Sequence, residues 1–94
     1  MTVLNYLLQD MHKLETALTP FEERFGVLSE DFYVAIMRGD LEEFDALDEY
    51  RMEFVEWLGL YETWRSFNHK YRQLIDSQPV ALQIKIGATV ILID

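Results

Sequence analysis

Cysteine is missing from all 94 residues. Its absence excludes disulfide stapling and every thiol-based metal site or nucleophile. Proline occurs twice and glycine four times, always singly, so no glycine-rich phosphate loop is present. No apolar run approaches 18 residues, so no spanning helix is expected. The start, Met1-Thr2-Val3-Leu4-Asn5-Tyr6, carries no basic stretch and no small-residue cleavage site. It does not read as a signal peptide, and the expected place is the cytoplasm. Basic residues are scarce, 8 Lys and Arg against 17 Asp and Glu. That balance disfavours direct nucleic-acid binding, which needs clustered cations.

Catalytic and metal-binding patterns are also lacking. His12 and His69 stand far apart and belong to no ExxH or HxxxH spacing. The stretch from Asp40 to Arg51 has many carboxylates but lacks the central glycine of a calcium-binding loop. Ser29 and Ser66 have no base nearby in sequence and read as a helix cap and a helix surface residue. No enzyme, cofactor or metal is expected.

Half of the residues are apolar and 14% are aromatic, so the chain is not a disordered one. A single domain of this size buries only a modest share of its surface alone. Such richness predicts that a further subunit or protein covers some of it.

The stretch from Asp40 to Asp76 reads as one long helix. Asp40 and Glu43 form a capping-box-like start, and Ser77-Gln78-Pro79 ends it. In its first half Phe44, Leu47, Phe54, Leu58 and Tyr61 share one side. Glu42, Asp45, Glu49, Glu53 and Glu56 share the opposite side. In its second half a new apolar row, Leu60, Trp64, Phe67, Tyr71 and Leu74, continues the acidic stripe at about 100° per residue. The side offered to a partner is thus expected to change near Gly59. Both the acidic set and the second row are candidate partner-binding residues, with Trp64 as anchor. Trp57 reads as core. Arg51 and Arg65 fall on the first apolar face, where they snorkel, pair with acids or anchor a partner.

Charge follows this layout. Asp40 to Leu60 holds eight acids and one base, a net charge of −7, against −9 for the whole chain. The acidic stripe is either a solvated helix face or a face that attracts a basic protein surface.

Ahead of that helix, Leu4, Leu7, Met11, Leu14, Leu18, Phe21 and Phe25 alternate steps of three and four, a full a/d seam. This predicts one helix, Thr2 to Phe25, kinked or broken at Pro20 and ended by Gly26. A fresh start at Thr19-Pro20-Phe21-Glu22 is the other reading. Ser29 is expected to cap a short helix running to about Arg38, with Leu28 stapled onto Tyr33 and Gly39 closing it. The first helix is expected to lie antiparallel to the first half of the long one. After Pro79 the periodicity changes to two. Leu82, Ile84 and Ile86 alternate with Ala81, Gln83 and Lys85, and Val90-Ile91-Leu92-Ile93 is rich in β-branched residues. A hairpin turning at Gly87-Ala88, a single strand and a flexible tail remain open.

Leu28-Ser29-Glu30-Asp31-Phe32-Tyr33, then Gly39-Asp40-Leu41, an acidic stretch, and Glu56-Trp57-x-x-Leu60-Tyr61-Glu62-x-Trp64 follow an amphipathic leading helix. Together they resemble the small acidic helical antitoxins of bacterial toxin–antitoxin modules, often encoded beside a small nuclease-like toxin. The likeness spans roughly Leu4 to Tyr71. Pro20 and the strand-like tail depart from the pattern. The resemblance implies a non-catalytic protein that neutralises a basic partner. The expected architecture is an all-helical hairpin, with a short middle helix and a β-prone tail, in a homo-oligomer. A self-assembling helical scaffold is the alternative function.

Overall fold

The computed structural model describes residues 3–45 and 48–93. Among them the elements are α1 (Val3–Phe25), α2 (Ser29–Arg38), α3 (Glu42–Asp45), α4 (Asp48–Asp76) and α5 (Val80–Ile93), with no strand. The all-helical class expected from the sequence is found.

The seam builds α1. Leu4, Leu7, Met11 and Leu18 are buried, while Leu14, Phe21 and Phe25 are half-buried. Pro20 lies inside the helix, which runs on without a restart. Thr19 is not a cap, since its hydroxyl donates to the Glu15 carbonyl one turn back (3.0 Å). Gly26 ends the helix at φ 74°, its N–H donating to the Glu22 carbonyl (2.8 Å). A side chain there would meet the left-handed penalty that glycine avoids.

α1 and α4 lie side by side in opposite directions. Phe25 packs on Tyr50 and Phe54, and Leu18 joins the cluster of Phe54, Trp57 and Tyr61. Further along, Glu15 meets Trp64, and Leu4 shares a cavity wall with Leu74. The hairpin is thus antiparallel, but α1 runs along both halves of α4, not the first half alone. With principal extents of 54 × 26 × 17 Å, the molecule is a thin rod, and few side chains lie deep inside.

α4 does not change faces. Phe54, Tyr61, Asn68 and Ile75, then Trp57, Trp64 and Tyr71, then Leu60, Phe67 and Leu74 recur every seven residues, and all are buried or half-buried. At about 100° per residue Trp64 falls only about 20° from Trp57 and about 60° from Tyr61. Phe44, counted into the first face, belongs to the separate α3 and sets no direction on α4. The row Leu60, Trp64, Phe67, Tyr71 and Leu74 was expected to point away from α1. Instead Trp64 donates its indole N–H to Glu15 of α1 (3.1 Å) and stacks on Tyr61 (5.8 Å between centroids).

Three other expectations change. The long helix does not begin with Asp40 as its cap. Gly39, at φ 79°, and Asp40 donate their N–H groups to the carbonyls of Ile36 (3.1 Å) and Ala35 (3.0 Å). This is a Schellman closure of α2, and it takes Asp40 into the end of the preceding helix. Glu42–Asp45 then form the separate α3, whose start includes a Phe44 N–H to Leu41 carbonyl bond (3.0 Å). Leu47, expected on the first apolar face, lies outside the described residues.

Nor is Ser29 the cap of α2. Leu28 takes that position with extended backbone angles, and it is 63% exposed, so it makes no staple. The tail, expected to be β-prone, is the helix α5. Its first turn hangs on Pro79, whose carbonyl accepts from the N–H groups of Leu82 (3.1 Å) and Gln83 (3.2 Å). No strand among the described residues offers an edge, so the backbone groups of this segment pair within it. Gly87 and Ala88 are helical and make no hairpin turn.

Tyr61 gives the fold an alkaline limit. Burial pushes its hydroxyl above the ordinary value of 10.0, Glu30, Tyr33 and Asp31 add to the rise, and Arg65 opposes it. The unfolded chain releases this proton first as pH climbs. Stability is therefore complete below about pH 10 and falls as pH rises through the folded value. Urea midpoints should show a smaller alkaline loss for Tyr61→Phe than for the wild-type chain. Equal losses would mean that Tyr61 ionises freely in the folded state.

Candidate functional site

The core narrows to a pile of rings around Trp57. This indole is fully buried, and Phe32 lies parallel to it at 3.8 Å between centroids. Phe25 and Phe21 stack on it at 5.5 and 5.8 Å. A buried indole N–H needs a partner. Here it donates to the Ser29 hydroxyl (2.9 Å), which in turn donates to the Glu22 carboxylate (2.8 Å). The Ser29 backbone N–H donates to the same Glu22 oxygen (2.8 Å). Glu22 thus reaches from α1 to satisfy the open start of α2, the task expected of Ser29. One chain of hydrogen bonds ties α1, α2 and α4 together.

Beside this knot lies a cavity of about 320 Å³. The end of α1 contributes Phe25, α2 contributes Phe32, α3 contributes Phe44, and α4 contributes Tyr50, Phe54 and Trp57. Trp57 is wholly covered, while Val27 and Asp31 on the lining are exposed and mark its mouth. Asp31 is the one carboxylate among the lining residues. The rings hold one another at centroid distances of 3.8 to 6.5 Å, Phe32 with Trp57 at the near end and Phe54 with Trp57 at the far. These stacked and edge contacts fix the ring positions around the cavity.

The acidic candidates flank this end of the rod. Glu42, Glu49 and Glu56 are exposed. Asp45 closes α3, and its side chain lies outside the described part. Glu53 is half-buried and paired with Arg24 of α1 (2.8 Å). That pair is partly exposed and contributes at most about 1 kcal/mol. Arg65 reaches α2, donating to the Tyr33 hydroxyl with its guanidinium 4.3 Å from the ring centroid. It thus engages a tyrosine of its own chain, where pairing with an acid was among the expectations. Arg51 is exposed.

The second row is at hand differently. Leu60 and Trp64 pack against the core cluster, and Phe67, Tyr71 and Leu74 are half-buried further along. A wider, shallower groove runs past Trp64, lined by Glu30, Glu62, Arg65, His69 and Arg72. Among the described residues no group of His, Asp and Glu is arranged to hold a metal ion. No described helix is long and apolar enough to cross a membrane.

Comparison with protein-family models, with curated proteins and with solved structures finds no match to this chain.

Sequence reasoning passed over the aromatic cavity. Its signal was present: Phe21, Phe25, Phe32, Tyr33, Phe44, Tyr50, Phe54 and Trp57 crowd the middle of the chain. They sit on four different elements, so no single helical face displays them together.

Proposed function

We propose that the chain is a non-catalytic, antitoxin-like binding module that neutralises a basic partner protein, such as a small nuclease toxin. The observation that carries this reading is the juxtaposition at one end of the rod. Exposed Glu42, Glu49 and Glu56 lie on the same stretch of chain as Phe44, Tyr50, Phe54 and Trp57, which line an aromatic cavity that opens to solvent beside Asp31. Acidic fields steer a basic surface into contact, and an apolar pocket at the centre of such a surface supplies the lasting affinity. The resemblance over Leu4 to Tyr71 points the same way.

The test is co-expression with the product of the adjacent gene, scoring growth and co-purification. The wild-type chain should restore growth and carry the partner through purification. Replacing Glu42, Glu49 and Glu56 together by lysine should weaken capture about tenfold or more while helicity persists. Undiminished rescue by the triple variant would reject the acidic face as the contact.

A homo-oligomeric scaffold is the second reading, and α5 favours it. Val80, Leu82, Ile84 and Ile86 are all exposed on that helix. Apolar groups gathered on one short element are commonly covered by another chain. A solution mass of one defined multiple, with no capture of a basic protein, selects this reading.

A further inference from the structure

We infer that the aromatic cavity is a receptor for an arginine side chain presented by the partner protein. The inference rests on the basic-partner reading and names the contact at its centre. Six rings line the space: Phe25, Phe32, Phe44, Tyr50, Phe54 and Trp57. Phe32 and Trp57 turn their faces to each other and are buried, so the rings an occupant can reach are the half-buried Phe25, Phe44 and Tyr50, whose faces attract cations. The lining includes a carboxylate, Asp31, and no cationic residue. Arg24, the nearby cation, is neutralised by Glu53.

The occupant follows from this chemistry. An uncharged apolar side chain would fill the apolar space but leave Asp31, exposed at the mouth, without a counter-charge. A cation pairs with that charge. Among cations the guanidinium suits a stack of rings best, because it is flat, weakly hydrated and able to grip a carboxylate with two N–H groups. The chain already uses the same pairing twice. Arg65 lies 4.3 Å from the Tyr33 centroid, and Arg24 lies 5.2 Å from that of Phe25, itself a cavity ring. The surrounding stretch from Asp40 to Leu60, net −7, draws a basic surface to this mouth.

Nα-acetyl-arginine amide titrated into the full chain, followed residue by residue by NMR, tests the site. Saturable shifts should centre on Ala35, Phe44 and Tyr50. Nα-acetyl-citrulline amide keeps the shape without the charge and should bind about fivefold more weakly or worse. Asp31→Asn should weaken arginine binding about threefold or more. Ala35→Leu, which fills the cavity from α2 and leaves the helix intact, should abolish it. Equal binding of arginine and citrulline would overturn the inference. So would unchanged binding by Ala35→Leu, or shifts that spread over Glu42, Glu49 and Glu56 without saturating. Loss of the arginine site in a chain that still captures its partner rejects the cavity alone. Arginine binding without any basic partner in co-expression rejects the antitoxin-like reading and leaves the cavity standing.

Discussion

Trp57→Ala should lower the free energy of unfolding by about 3–5 kcal/mol, the usual loss for deleting a large buried ring. This side chain is wholly covered, and it is the piece on which three helices converge. Its removal opens a void against Phe21, Phe25 and Phe32, which stack on it from α1 and α2. It also leaves the Ser29 hydroxyl without its indole donor. The neighbours relax only in part, because α1 and α4 are held apart by the rest of the seam. Denaturant unfolding at neutral pH measures the effect. A loss below about 1 kcal/mol would show that the ring pile is not the centre of the fold.

The second large effect separates two positions that look alike in sequence. Leu18 and Leu14 occupy the same seam one step apart. Leu18 is 4% exposed and sits among Phe32, Phe54, Trp57 and Tyr61, whereas Leu14 is only half-buried. Leu18→Ala should therefore cost about 3 kcal/mol or more, and Leu14→Ala clearly less. Thermal melts of the two variants check this. Equal losses would place the α1–α4 contact in a different register.

The seam made α1 legible before any coordinates, since a three-four alternation has one efficient burial solution. Phase continuity through Pro20 was legible for the same reason. The start of α4 was not. Asp40 suits a helix N-cap, but Gly39 in the left-handed region turns its N–H back toward Ala35, and the earlier helix claims it. Caps compete, and sequence alone does not rank the competitors. Trp64 reads on the wrong side when Phe44, which lies on the separate α3, is counted into the face of α4. The tail carried β-type composition, yet a segment without a neighbouring strand satisfies its backbone by coiling. Ser29 was recognised as a helix-start residue, but its link to Trp57 spans 28 positions and follows no local rule. The acidic half of the site was visible as a run of charge. The aromatic half needed four elements to meet.

The most direct measurement is the affinity of the purified chain for the protein that co-purifies with it, taken across ionic strength. Contact between an acidic face and a basic partner predicts a dissociation constant that rises about tenfold or more from 0.05 M to 0.5 M salt. It also predicts that the lysine variant at Glu42, Glu49 and Glu56 flattens this dependence. A complex whose affinity ignores both salt and the three substitutions would contradict the account.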